Sequence, residues 1–139
     1  MFLVTKLPER QDNMTIEELY GSIGANYEDA IERLVSEKFI TKYIIKFIDD
    51  DSYSNLITAW KENKSEDELF RAAHTLKGVC LNFALDALFT PTNIITDYYR
   101  PTGSKKVDNI EEVFKELEET YTEMIEKIKA FAAERSANV

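Results

Sequence analysis

Ala73-His74-Thr75-Leu76-Lys77-Gly78, inside the run from Ser65 to Ala84, is the stretch around which the rest of the sequence is read. It holds the only histidine among 139 residues. On a helix turning about 100° per residue, Phe70, Lys77, Gly78 and Leu81 fall within about 60° of His74, with Asp67 and Arg71 on the same side. The opposite arc gathers Leu69, Ala72, Leu76, Val79, Cys80 and Phe83, all apolar. This is an amphipathic split, and it turns the apolar arc toward a core. His74 sits in the middle of the face a core does not cover.

A lone histidine is ordinarily a structural residue or an idle solvated one. Here its angular position argues against burial, and its neighbours argue against idleness. Lys77 lies one turn away, close enough to hold an anion carried by the imidazole. Gly78 stands at mid-helix, where glycine costs about 1 kcal/mol relative to alanine. It makes sense there if another molecule must come close to the ring. Phe70 and Leu81 add apolar surface of the kind a docking patch uses.

His74-Thr75-Leu76-Lys77-Gly78, preceded by Ala73 and set in an amphipathic helix, resembles the signature of the histidine phosphotransfer (HPt) family. The resemblance extends from about Thr15 to Phe131. It implies a phosphorelay intermediate in which His74 accepts a phosphoryl group from an aspartate of a receiver domain and passes it to another, with Lys77 stabilising that group. Phe70, Gly78, Leu81, Arg71 and Asp67 would then form the partner-binding face. Two positions depart from the family pattern. The usual second glycine, ten residues after the histidine, is Ala84, and Leu81 is larger than the small residue often found at its place. Neither touches the nucleophile.

Composition limits the alternatives. A chain of 139 residues makes one domain with a real core, and 44% apolar content excludes a disordered one. The net charge is −9, and the two adjacent lysines Lys105-Lys106 are the longest basic run, which argues against nucleic acid as a partner. Cys80 is the only cysteine and lies on the apolar arc, so it reads as core filling and not as a disulfide or metal ligand. No stretch is long and apolar enough to span a bilayer, and Met1-Phe2-Leu3-Val4 is too short for a signal segment. The expectation is a soluble, cytoplasmic monomer.

Along the chain, residues 1 to 14 read as an arm packed through Phe2 and Leu3, and 15 to 135 as the single helical domain. Thr15 with Glu18 reads as a capping box opening a short turn through Tyr20, broken by Gly21 and Gly24. Asn26 caps a helix through Tyr27, Ala30, Ile31 and Leu34. Ser36 begins another, with Phe39, Ile40, Tyr43, Ile44, Phe47 and Ile48 as its apolar face. Asp49-Asp50-Asp51 ends or bends it, as a solvated end and not a metal site. A segment from Ser52 to Asn63 turns Leu56, Ile57 and Trp60 inward.

Ser65 with Glu68 is a second capping box. For the next helix, Asp86 as cap and Thr90 as cap with Pro91 at the first helical position fit equally well. That helix runs to about Arg100 and buries Ile94, Ile95 and Tyr98. Pro101 to Lys106 is a loop. The last helix alternates spacings of four and three through Ile110, Phe114, Leu117, Tyr121, Met124, Ile128 and Phe131, a bundle seam. The expected fold is all-α, an antiparallel up-down bundle with a four-helix core and extra short N-terminal helices.

Phosphoryl transfer needs an in-line nucleophile and neutralisation of the equatorial oxygens. Free imidazole titrates at about 6.5, so at pH 7 an exposed ring is largely neutral and nucleophilic without a helper base. The outward ring nitrogen is the expected acceptor. The divalent metal belongs to the receiver or hybrid-kinase partner, so this chain needs neither cofactor nor metal of its own. No Gly-rich nucleotide loop is present, so ATP-dependent kinase activity is not expected. A di-metal bundle would use Glu-x-x-His pairs, but Arg71 stands three before His74 and no second histidine exists. The competing reading is an HPt-like scaffold that binds receivers without transferring anything; Ala84 favours it, while His74, Lys77 and Gly78 favour transfer.

Overall fold

Local side-chain caps start most of the helices. In the computed structural model, which describes residues 14–137, Thr15 opens α1 (Ile16–Ser22) with a complete capping box. Glu18 N–H donates to Thr15 Oγ1 at 3.0 Å, and Thr15 N–H donates to Glu18 Oε1 at 2.9 Å. Asn26 caps α2 (Tyr27–Leu34), Ser36 caps α3 (Glu37–Lys46), and Ser65 caps α5 (Glu66–Phe83). Between them α4 spans Ser52–Lys61, preceded by a tight helical turn over Phe47–Asp49. The helices α6 (Asp86–Tyr99) and α7 (Ile110–Ala137) complete the chain. Among the described residues there is no strand, and no helix is long and apolar enough to cross a membrane. The expected all-α bundle is the observed fold.

The four-helix core is α4 to α7. α5 packs between α4 and α6, and α6 packs on α7; links of four and two residues make α4, α5 and α6 antiparallel in turn. Two aromatic stacks close α4 onto α7. Trp60 lies on Phe114 at 4.2 Å between centroids, and Tyr53 lies on Tyr121 at 3.7 Å. Residue numbers rise along α4 as they fall along α7, so this pair is antiparallel too. At 28 residues α7 is about 42 Å long and outruns α5, which has 18 residues. The short N-terminal helices cover the overhang: Lys127 Nζ donates to the Ser22 carbonyl at 2.9 Å and Arg135 Nη2 to the Met14 carbonyl at 3.0 Å.

The end of α5 is the junction of the two halves. Ala84 closes the helix in the left-handed conformation, φ 56° and ψ 42°. Leu85 N–H reaches back to the Cys80 carbonyl at 2.9 Å, and Ala84 N–H to that of Leu81 at 3.4 Å, the double bond pattern a C-terminal glycine usually supports. Tyr20, fully buried, donates its hydroxyl to the Phe83 carbonyl at 2.9 Å, and burial raises its phenol well above the usual range. The link after α1 is stitched to the same turn. Asn26 N–H donates to the Ala84 carbonyl at 2.9 Å, and Ala87 N–H to that of Gly24 at 3.0 Å. Gly24 has φ 71°, and a Cβ there would meet Ala87 Cβ at 2.8 Å, so the chain passes too close for a side chain.

Several expectations need correction. Gly21 does not break α1 but lies inside it; the break is at Gly24. Ser65 caps α5, but the Glu68 carboxylate takes its bond from Ser65 Oγ at 3.2 Å and not from the backbone N–H, so the second box is incomplete. Neither Asp86 nor Thr90 caps α6. The helix starts at Asp86, with buried Leu85 as the preceding residue and no side-chain cap. Pro91 is its sixth residue and leaves the Ala87 carbonyl without a helical donor; the helix runs on past it, its first turn tied down by the Ala87 N–H bond to the Gly24 carbonyl. Phe39 is 46% exposed instead of joining the core, and Tyr98 is only half-buried, with Lys106 Nζ above its ring at 4.2 Å. The arm expected at residues 1 to 14, with Phe2 and Leu3, lies outside the described residues except for Met14.

Ala84 sets one cost against two gains. The left-handed conformation costs a non-glycine residue about 1–2 kcal/mol. Its methyl is buried, which returns about 0.8 kcal/mol, and alanine also loses less chain entropy on folding than glycine, by about 0.4–1 kcal/mol. Ala84→Gly should therefore shift urea unfolding stability by less than about 1 kcal/mol in either direction. Ala84→Val adds β-branching and volume at the same point and should lose more than about 2 kcal/mol. A neutral valine would mean that α5 does not end in this conformation.

Candidate functional site

The buried stripe of α5 consists of Leu69, Ala73, Leu76 and Cys80. Its centre lies about 130° from His74 at about 100° per residue, turned toward Ala73. Ala72, Val79 and Phe83 consequently sit at its edge, half-buried, although the sequence pattern puts them with the core. The opposite face is uncovered over the middle of the helix. His74 is exposed there, on the ninth of eighteen residues.

Its surroundings are built from the turn before and the turn after. Phe70, half-buried, stacks on the imidazole with ring centroids 5.6 Å apart and planes 19° from parallel. A helical side chain leans toward the N-terminus, which brings residue i onto i−4. Lys77 is half-buried and, among the described residues, enters no ion pair. Its cationic head is therefore available to an anion on the imidazole. Gly78 faces open space, with no atom within 4 Å of where a Cβ would stand. Leu81 is 42% exposed. Asp67 and Arg71 share the face but bind one another in an exposed ion pair, a type of contact that contributes little stability.

Other nucleophiles nearby are unsuited. Thr75 Oγ1 donates back to the Arg71 carbonyl at 3.0 Å. Cys80 is buried on the far side, and burial pushes its thiol up to about 12, so no thiolate forms near neutral pH. Among the described residues no three His, Cys, Asp or Glu side chains come together as a metal site. In the Asp49–Asp51 triplet, Asp50 Oδ1 accepts from Ser52 N–H at 2.8 Å at the start of α4. Clefts of 250 to 560 Å³ occur elsewhere on the surface, and His74 lines none of them. The site is an open face and suits a reaction with a macromolecule better than capture of a small one.

The fold thus brings all seven candidates, Asp67, Phe70, Arg71, His74, Lys77, Gly78 and Leu81, onto one face. It adds a residue that helical spacing cannot reveal. Arg100, half-buried at the end of α6, lies with its guanidinium 5.5 Å from the centroid of Phe70. It stands 26 positions after His74, and only the antiparallel return of α6 brings it close.

A family model described as Hpt domain matches residues 50–131. That span covers α4, α5, α6 and most of α7, more than half of the chain, and leaves α1 to α3 outside. No curated protein and no solved structure matches the chain.

Gly78 gives a test of this face. Because the space above it is empty, Gly78→Ala should stabilise the free domain by up to about 1 kcal/mol through helix propensity alone. Gly78→Gln should fold normally, with an unchanged circular dichroism spectrum, yet impair any partner that must approach the imidazole. Unfolding of Gly78→Gln would move glycine's role from approach to internal packing.

Proposed function

This chain belongs to the Hpt-domain family, and from that premise we propose that it takes a phosphoryl group onto His74 from a receiver-domain aspartate and hands it to a second receiver. The family fixes the coarser statement, a phosphotransfer-related role in a phosphorelay. The observation that carries the finer one is an exposed imidazole at mid-helix, with an available cation one turn on and open space above Gly78.

The chemistry balances without a base. The neutral imidazole attacks phosphorus with the lone pair of its outward nitrogen while the other nitrogen keeps its proton. An N–P bond forms, the acyl O–P bond breaks, and the aspartate leaves as carboxylate. The return step reverses these bonds on the next receiver. Lys77 offsets charge on the equatorial oxygens. The divalent metal is supplied by the receiver, and the phosphoryl group comes from ATP at an upstream kinase, with ADP as the leaving group. Phe70, Gly78 and Leu81 meet the partner around the ring, with Arg71 and Asp67 at the margin. The chain acts as a cytoplasmic monomer between a hybrid histidine kinase and a response regulator.

A receiver-binding scaffold without transfer is the second reading. Ala84 was its support in the sequence, but Ala84 ends α5 in the left-handed conformation a glycine would adopt, so the substitution no longer favours it.

Incubation with a radiolabelled phospho-receiver should give acid-labile, base-stable label on this chain. His74→Ala should abolish that label. Lys77→Ala should slow its appearance at least tenfold, about 1.4 kcal/mol of transition-state stabilisation, while changing unfolding stability by less than about 0.5 kcal/mol. Label persisting in His74→Ala would refute the acceptor; binding without any label in the native chain would support the scaffold.

A further inference from the structure

Three groups adjoin at the site: the His74 imidazole, the Phe70 ring near-parallel to it at 5.6 Å, and the Arg100 guanidinium over that ring at 5.5 Å. Resting on the function proposed above, we infer that Phe70 and Arg100 are positioning residues that hold the His74 ring in its reactive orientation.

An imidazole on an open helix face would otherwise exchange among rotamers, and each transfer would have to select the productive one. Phe70 gives the ring a platform. The platform is itself half-buried, and a cation over its π face holds it from the α6 side. Arg100 is well fixed for this task. Its Nη2 donates to Asp97 Oδ1 at 3.0 Å, and its backbone N–H donates to the Asp97 carbonyl at 3.4 Å. That same carbonyl accepts from Lys105 N–H at 2.9 Å. Pro101 follows directly, and the cation sits at the C-terminal end of α6, where the helix dipole favours it. The loop after α6 thereby braces a nucleophile on α5.

The chain has a single histidine, so the ring protons of His74 can be followed without ambiguity by NMR on the intact protein. The stack predicts a ring-current displacement of those protons relative to free histidine. Phe70→Leu should abolish it, Arg100→Ala should reduce it by about half, and Phe70→Tyr should keep it, with helical content unchanged in all three. In single-turnover transfer from a phospho-receiver, Phe70→Leu should lower the saturated rate about tenfold and, because Phe70 also meets the partner, weaken half-saturation as well, whereas Arg100→Ala should lower the saturated rate about threefold with the half-saturating receiver concentration unchanged. Phe70→Tyr should restore the rate, and Arg100→Lys should restore it in part by keeping a charge over the ring. An unaltered ring-proton displacement and rate in Arg100→Ala would overturn the inference, as would a maximal rate left constant in both Phe70→Leu and Arg100→Ala while half-saturation shifts, which would make these residues docking contacts alone. If the native chain takes no phosphoryl group, the transfer reading fails, and the ring-proton displacements alone still decide the stack.

Discussion

Burial of Leu69, Ala73, Leu76 and Cys80 along one stripe of α5 is the contact on which the rest depends. Neighbouring helices pack against that stripe and its edges, and the opposite face is left to solvent. A helix in a bundle normally shows its bare face to water and nothing follows from it. Here that face carries the single histidine, an available lysine and a glycine with free space above it. The packing of the core and the openness of the site are two consequences of one helical phase. A rotation of α5 by about 130° would bury the imidazole and expose the stripe.

Legibility in the sequence followed the range of the interaction. Caps are bonds over three residues, so Thr15, Asn26, Ser36 and Ser65 marked helix starts correctly. The seam of α7 was readable for a similar reason. Phe114, Leu117, Met124, Ile128 and Phe131 recur at helical spacing and are all buried. What failed was set by tertiary contacts. The start of α6 is fixed by the bond from Ala87 to Gly24 and by the turn at Ala84 that precedes it, so the usual preference of proline for a first turn did not apply to Pro91. The buried arc of α5 turned toward Ala73 because it follows real neighbours and not an ideal opposite face. Arg100 was invisible at the site because no local pattern links it to His74.

The departures from the family pattern also take a physical form. Ala84 keeps the left-handed helix end expected of glycine, with local strain partly offset by a buried methyl. Leu81 adds exposed apolar surface two turns beyond His74, on the side a docking partner would meet. The first change leaves the geometry of α5 intact. The second alters only the exposed surface beside His74.

The central claim is that the imidazole of His74 itself carries the phosphoryl group. Phosphorus-31 NMR of the protein, phosphorylated by a phospho-receiver and isolated at alkaline pH, tests it most directly. The account predicts one phosphoramidate resonance that correlates with the ring protons of His74 and disappears on acidification. A resonance that survives acid, or one that correlates with the side chain of Thr75 or any carboxylate, would contradict it.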